Sequence, residues 1–203
     1  MSALPLLAAT ALAAAFAPPA GPPGKAMPPA AYGAFAEVRG GTHRLPGEGD
    51  DVAAVVLLFV GHRCPVSNGY APELTRLHEE FGPKRVAFCA VYATADLSRE
   101  VARTHAGEYG LRFPAVLDPE MTLARGVGAT VMPEAAVLSP AGAVLYRGRI
   151  DDQYTGFGKK RPRARVRDLR AALDAVLAGR PVPTARTEAV GCYIDFPDPA
   201  PGS

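Results

Sequence analysis

The stretch that decides the fold is residues 52–64, VAAVVLLFVGHRC, which continues as PVSN over residues 65–68. Its first nine residues form an unbroken apolar run rich in β-forming side chains, and Gly61 ends that run. Such a run is typical of a strand that is covered on both faces, as in the centre of a parallel sheet. Beyond Cys64, the apolar residues Leu74, Leu77 and Phe81 recur at helical spacing until Gly82. The stretch therefore predicts a strand, a turn and a helix, with a cysteine where the helix begins.

The remaining patterns extend this unit in both directions along the chain. A turn at Gly40-Gly41 predicts a strand pair over 35–45, and a buried strand is expected over 86–92. Further predicted elements are a helix from Asp96 or Ser98 to about Tyr109, a strand over 114–117, one helical turn over 122–125, an antiparallel strand pair over 134–138 and 144–150, and a helix over 163–178. Alternating strands and helices with a final antiparallel pair predict an α/β domain with a central mixed β-sheet flanked by helices.

Composition restricts the class of function. The chain has 203 residues and a formal net charge of only +2, whereas proteins that track phosphates usually carry a strong basic excess. We therefore expect no nucleic acid partner. Three cysteines are too few for a disulfide scaffold, and four histidines show no zinc-type spacing.

The first residues predict export. Leu4 to Ala17 is an apolar run that is too short to span a bilayer, and small residues follow at Ala15 and Ala17. We expect residues 1–17 to be a signal peptide, 18–30 a Pro/Ala-rich linker, 31–179 the folded domain, and 180–203 a Pro-rich tail that carries Cys192. The expected location is periplasmic or extracellular, without stable membrane insertion after the signal is removed.

Cys64 is the candidate reactive group. A helix N-terminus carries about half a positive charge, which stabilises a thiolate and lowers the pKa of a thiol. Pro65 suits the first helical turn, since it has no N–H group to leave unpaired, and Ser67 and Asn68 are expected to supply further donors to the sulfur. The alternative is a small buried cysteine that fills a gap in the core.

Two segments resemble a known family. Cys64-Pro65-Val66-Ser67 after an apolar strand is similar to the active-site turn of thioredoxin-fold proteins, and Thr130-Val131-Met132-Pro133-Glu134 resembles their cis-proline segment. The resemblance is to the redoxins related to alkyl hydroperoxide reductases and thiol-specific antioxidants, as found in exported bacterial members. It implies a thioredoxin-like fold, a cis bond between Met132 and Pro133 beside the reactive sulfur, and a backbone edge there that can pair with a partner strand.

Three positions depart from the relatives. Ser67 stands where thioredoxins have their second cysteine, and a serine cannot resolve a mixed disulfide. Gly61 stands where peroxiredoxins have a threonine, which puts peroxidase activity in doubt. Asn68 replaces the second cysteine of the copper-handling relatives. Cys192 is the candidate resolving thiol, and Cys89, in the middle of a predicted strand, is expected to be buried and inert.

The leading hypothesis is an exported thiol–disulfide oxidoreductase without a cofactor. Cys64 would attack a protein disulfide or a small peroxide, and Cys192 would resolve the product. Pro65, Ser67, Asn68, Met132, Pro133 and Glu134 are expected to support the site. Two alternatives stay open: a non-enzymatic module that binds copper through His62, Cys64 and Cys192, and a scaffold in which Cys64 and Cys192 form a permanent disulfide.

Overall fold

The computed structural model of the chain describes Met27, residues 33–46 and residues 50–197. The predicted signal peptide, residues 1–17, lies outside the described residues, as does the predicted linker apart from Met27. Met27 is buried, and its backbone N–H donates to the carbonyl oxygen of Gly142 at 3.0 Å. Within the described residues, no helix is both long enough and apolar enough to cross a membrane.

A five-stranded mixed sheet forms the centre of the domain. Its strands are β3 (Ala54–Phe59), β4 (Val86–Tyr92), β5 (Ala115–Leu117), β7 (Glu134–Leu138) and β8 (Val144–Gly148), in the spatial order β5-β4-β3-β7-β8. Strands β3, β4 and β5 run parallel, whereas β7 is antiparallel to both β3 and β8. Every residue of β3 is buried, because the strand is central and the sheet is covered on both faces. The predicted mixed sheet is confirmed.

In the part of the chain that the structure describes, four α-helices accompany the sheet: α1 (Pro65–Phe81), α2 (Arg99–Glu108), α3 (Thr122–Val127) and α4 (Asp168–Leu177). Alternate residues of β3 belong to different cores. Val56 and Leu58 pack in the cluster that includes Leu74 of α1 and Leu169 of α4, whereas Leu57 packs in the cluster that includes Leu123 of α3. The sheet thus separates two apolar layers, as the continuous apolar run predicts.

The last helix begins later than predicted. We expected it from Arg163, but α4 begins at Asp168. The carboxylate of Asp152 accepts hydrogen bonds from the backbone N–H groups of Arg165 (2.6 Å) and Val166 (3.0 Å), so these residues are tied to the loop after β8. Val166, placed in the apolar stripe of the predicted helix, is 49% exposed as a result.

Three two-stranded ribbons complete the fold. The predicted pair around Gly40-Gly41 is formed by β1 (Ala34–Ala36) and β2 (Thr42–Arg44). The other two pairs are β9 (Tyr154–Gly156) with β10 (Lys159–Lys160), and β6 (Val131–Met132) with β11 (Cys192–Tyr193). The last of these ribbons brings the C-terminal segment to the end of the sheet where α1 begins.

Candidate active site

Cys64 occupies the N-cap of α1, directly after the loop that leaves β3. Its carbonyl oxygen accepts the first helical hydrogen bond, from the N–H of Asn68 at 2.9 Å. Pro65 has no N–H group, and the N–H groups of Val66 and Ser67 precede the first intrahelical bond. The thiol therefore sits at the positive end of a 17-residue helix, where a thiolate is stabilised. Cys64 is only 2% exposed.

The Cys64 thiol points at the cis-proline segment. Its Sγ atom donates a hydrogen bond to the carbonyl oxygen of Met132 at 3.1 Å. The peptide bond between Met132 and Pro133 is cis. The segment expected to adjoin the reactive sulfur is thus in direct contact with it.

Glu134 anchors that segment from the other side. One oxygen of its carboxylate accepts from the backbone N–H of Thr130 at 2.8 Å and from that of Val131 at 3.4 Å. The other oxygen lies 3.3 Å from the guanidinium of Arg147. Since Glu134 is only 4% exposed, these partners compensate a carboxylate that is nearly removed from water. Glu134 therefore supports the site by fixing β6, without touching the sulfur in any described bond.

The C-terminal segment lies along β6. Cys192 pairs with Met132 and Tyr193 with Val131 in antiparallel register, and the N–H of Ile194 donates to Thr130 at 2.9 Å. Gly191 comes so close that a Cβ atom there would overlap the carbonyl group of Met132. Only a residue without a side chain fits this approach.

The pairing of β11 with β6 brings Cys192 to Cys64. Burial raises the pKa of the Cys192 thiol to about 11, and a hydrogen bond with Cys64 and the charge of Cys64 add to the increase. All three cysteines are free thiols in this structure. Cys89 lies in β4, and burial raises the pKa of its thiol far above the ordinary value, as expected of an inert cysteine.

The side chains of Ser67 and Asn68, expected to supply donors to the sulfur, both bind the loop that precedes Cys64. The hydroxyl of Ser67 accepts from the backbone N–H of Gly61 at 3.1 Å, and the amide nitrogen of Asn68 donates to the carbonyl oxygen of His62 at 3.4 Å. Both side chains are directed at the loop that precedes Cys64 because its backbone groups need partners. Their described role is to hold this loop.

Sequence reasoning missed a buried pair behind Asn68. The Nε2 atom of His105 lies 2.9 Å from the Oδ1 atom of Asn68, and its Nδ1 atom lies 2.7 Å from the hydroxyl of Tyr92. Burial, together with a smaller effect of the nearby His62, lowers the pKa of His105 to about 4. The ring is therefore neutral at neutral pH, donating through Nε2 to the amide oxygen and accepting from Tyr92. No local pattern identifies His105, since its partners come from α1 and β4.

A cavity of about 330 Å³ opens beside the two thiols. Its lining includes Cys64, Cys192, Met121, Met132 and His62. Burial and the charge of Arg63 lower the pKa of His62, so this ring is neutral at neutral pH. Among Met27 and residues 33–46 and 50–197, there is no group of three or more His, Cys, Asp or Glu side chains that could hold a metal ion.

Comparison with known proteins places the chain in a family. The model of the AhpC/TSA family matches residues 34–147, which run from β1 into β8 and include Cys64 and Pro133. The chain belongs to the AhpC/TSA family. The Cys-Pro-Val-Ser turn and the cis-proline segment predicted a member of a thioredoxin-like redoxin family. Both this family and the thioredoxin-like fold are confirmed.

Two solved structures match this AhpC/TSA chain along most of its length. An uncharacterized conserved protein of Geobacillus kaustophilus is 31% identical, with a TM-score of 0.72 over 88% of this chain and 94% of that one. A hypothetical protein of Sinorhizobium meliloti is 24% identical, with a TM-score of 0.74 over 89% and 97% of the two chains. Since these matches extend over more than the family model does, the likeness includes elements beyond residue 147.

More distant structures share the fold. A thiol-disulfide oxidoreductase of Bacteroides fragilis is 24% identical, with a TM-score of 0.51 over 61% of this chain and 89% of that one. A secreted disulfide oxidoreductase of Mycobacterium tuberculosis is 15% identical, with the same score over 71% and 96%. The search of curated proteins returned no significant match.

Within the AhpC/TSA family, the geometry at Gly61 explains one departure. A Cβ atom at this position would lie 3.1 Å from the Cβ atom of Cys64 and 3.4 Å from that of Met132. The contact with Cys64 is tighter than ordinary packing and the contact with Met132 is already at van der Waals distance, so the site has little room for the threonine of peroxiredoxins. The loop before Cys64 is built around a glycine.

Proposed function

We propose that this protein is an exported thiol–disulfide oxidoreductase in which Cys64 is the nucleophile and Cys192 the resolving thiol. The observation that supports this role for Cys64 and Cys192 is that both line one cavity at the N-terminus of α1, where Cys192 packs against the core cluster that contains Cys64. A nucleophile and a second thiol within reach are what disulfide exchange needs, and Ser67 cannot provide the second thiol.

The first step is attack by Cys64. The thiolate of Cys64 displaces one sulfur of a substrate disulfide, forming a mixed disulfide and releasing the other half of the substrate as a thiolate. The partial positive charge of the helix N-terminus favours an attacking thiolate, while the carbonyl of Met132 orients the resting thiol by accepting its hydrogen bond. Neutral His105 holds Asn68, and Asn68 in turn holds the loop before Cys64.

The second step is attack by Cys192 on the Cys64 sulfur. It releases the second half of the substrate as a thiol and leaves a disulfide between Cys64 and Cys192. Once Cys64 is in a mixed disulfide, its thiol can neither bond to Cys192 nor repel its charge, so the pKa of Cys192 falls from about 11. Over both steps the substrate gains two electrons and two protons from the protein dithiol, and an external dithiol reductant restores the protein.

Protein disulfides are the proposed partners, and the comparisons support this class. Solved structures with the same fold include a thiol-disulfide oxidoreductase and a secreted disulfide oxidoreductase. Export is further supported by the apolar run over residues 4–17, which has the length of a signal-peptide core. An oxidising compartment is where a reversible protein disulfide would have its substrates.

Trapping of the intermediate tests the two roles. The full chain and its Cys192→Ser, Cys64→Ser and Cys89→Ser variants are reduced, exposed to a small disulfide, quenched by alkylation and analysed by peptide mass spectrometry. We expect a Cys64–Cys192 disulfide in the wild type and in Cys89→Ser, the matched control for a buried thiol. Cys192→Ser should accumulate a mixed disulfide on Cys64, and Cys64→Ser should react slowly. If Cys64 stays alkylatable after exposure, the proposed function is wrong.

A second candidate function is binding of Cu(I). Two thiols, Cys64 and Cys192, and two thioethers, Met121 and Met132, line the same cavity, and soft sulfur ligands select Cu(I). Titration of the reduced protein with Cu(I) under a competing chelator tests this. Stoichiometric binding that is lost in both Cys64→Ser and Cys192→Ser, without disulfide exchange, would favour this role over the oxidoreductase.

A further inference from the structure

We infer that residues 191–194, the tail strand, occupy the place on β6 where a protein substrate would pair, so that the docked form of the chain reacts more slowly with a protein disulfide than with a low-molecular-weight disulfide. This inference rests on the proposed function and specifies its substrate class. The tail strand is then an internal competitor that a protein substrate must displace.

The backbone of β6 and of Thr130, which precedes it, is already paired with the tail strand. Cys192 lies in register with Met132, and the N–H of Ile194 takes the carbonyl oxygen of Thr130. A protein segment that adds to a sheet edge needs free backbone groups there, because its main-chain hydrogen bonds provide the affinity. An external peptide and the tail strand therefore cannot pair with β6 at the same time.

The tail strand is fitted to this position. Ile194 is 5% exposed and packs in the core layer that contains Leu123, whereas Tyr193 is 80% exposed. Phe196 extends the docking, since the guanidinium of Arg125 lies 4.9 Å above its ring. An inward isoleucine beside an outward tyrosine is the alternation of a strand with one buried face.

A route to Cys64 for small substrates remains beside the tail strand. The cavity of about 330 Å³ is lined by Cys64 and, among other residues, by Arg63, Thr94 and Asp96. Its volume is at the lower end of the range for small-molecule sites. Half of a small disulfide fits such a space, whereas a folded protein presents its disulfide on a backbone that needs the β6 edge.

The variant Gly191→Ala tests the inference, because a Cβ atom there would overlap the carbonyl group of Met132 and displace the tail strand while Cys192 is retained. Gly107→Ala is the matched control, since a Cβ atom at Gly107 meets nothing within 4 Å. The reduced full chains are mixed with excess hydroxyethyl disulfide or with excess native insulin, whose disulfides are intact. Alkylation and mass spectrometry then give the rate at which Cys64 is consumed.

We expect the wild type and Gly107→Ala to react faster with hydroxyethyl disulfide than with insulin. Gly191→Ala should raise the insulin rate by about tenfold, because the fraction of chains with a free β6 edge increases. Its rate with hydroxyethyl disulfide should change less than twofold, and its Cys64–Cys192 disulfide should form more slowly, since Cys192 is no longer held in register.

An unchanged insulin rate in Gly191→Ala would overturn the inference while leaving the proposed function intact, and so would a wild type that reacts equally fast with both disulfides. Ile194→Asp displaces the same segment by placing a charge in a buried position. If Gly191→Ala fails to fold, the insulin rate of Ile194→Asp serves as the test instead. Failure of Cys64 to react with either disulfide in any variant would instead reject the proposed function.

Discussion

Met132 and Cys192 lie opposite each other in an antiparallel strand pair, and the carbonyl oxygen of Met132 accepts the hydrogen bond of the Cys64 thiol at 3.1 Å. Met132 thus contacts Cys64 through its carbonyl group and lies in register with Cys192. The site is therefore assembled from α1, the cis-proline segment and the C-terminal segment, and Met132 is linked to both cysteines.

Replacement of Cys64 by alanine should lower the pKa of Cys192. The variant removes the hydrogen bond with Cys64 and its charge, but burial, the largest cause of the raised pKa, remains. We expect a value below about 11 and above the ordinary thiol value of about 8.5. The pH dependence of Cys192 alkylation measures it, with Cys89→Ala as the control that leaves it unchanged. A value that stays the same or increases would contradict the contact between the thiols.

Replacement of Gly61 by threonine should slow the reaction of Cys64 with disulfides and should not create peroxidase activity. The added side chain would crowd the Cβ atoms of Cys64 and Met132, so the thiol would move from the helix N-terminus. We expect the rate of attack on a small disulfide to fall by about tenfold, equivalent to about 1.4 kcal/mol in the barrier. Sulfenic acid formation with hydrogen peroxide, followed by mass spectrometry, should be no faster than in the wild type. Faster formation would show that glycine at this position is what limits peroxide chemistry.

Replacement of Glu134 by alanine should destabilise the fold. It removes the carboxylate that accepts from the backbone N–H groups of Thr130 and Val131, at the start of β6, and it leaves the guanidinium of Arg147 without this partner. Breaking a buried ion pair from one side costs about 3 kcal/mol. Urea unfolding measures the loss, and Glu134→Gln should lose less because it retains an acceptor. The exposed Glu108→Ala is the control, with a change within about 0.5 kcal/mol. Equal stability of Glu134→Ala and Glu108→Ala would contradict the anchoring role.

Protonation of His105 should destabilise the protein in mild acid. Its folded pKa of about 4 is below the unfolded value of 6.5, so the unfolded chain binds more protons between these values. The stabilisation is complete above pH 6.5 and is lost as the pH falls towards 4, on the order of 1 kcal/mol after solvent screening. Chemical unfolding at several pH values should show a shallower acid dependence in His105→Gln than in the wild type. Parallel curves would argue against a neutral His105.

Local sequence patterns predicted the elements that carry strong apolar signals. The run over Val86–Tyr92 forms β4 with the predicted bounds, and Glu134–Leu138 forms β7. The helix expected from Arg163 failed at its start, because the long-range bonds of Asp152 outweigh local helical periodicity there. Helix propensity depends on residues that are close in sequence, whereas the hydrogen bonds of Asp152 to Arg165 and Val166 form only in the folded chain.

The candidate site divides in the same way. Cys64, Met132, Pro133 and Glu134 were identified because a motif marks each of them, and the structure places them together. His105 was missed, since only the fold brings α2 to Asn68 and Tyr92. In the C-terminal segment, the sequence signal for docking was Gly191 next to Cys192. A glycine has no side chain, so its backbone can lie close to the backbone of another strand, as Gly191 does at Met132.

The docking of β11 on β6 occurs after the chain has passed through the whole central sheet, since Cys192 follows Cys64 by 128 positions. The proposed disulfide would therefore cross-link a loop that contains most of the domain. In the chain-entropy account, closing a loop of this size removes conformational freedom worth about 5 kcal/mol from the unfolded state. Oxidation would thus make the domain harder to unfold, and each catalytic cycle would alternate between a tighter and a looser protein.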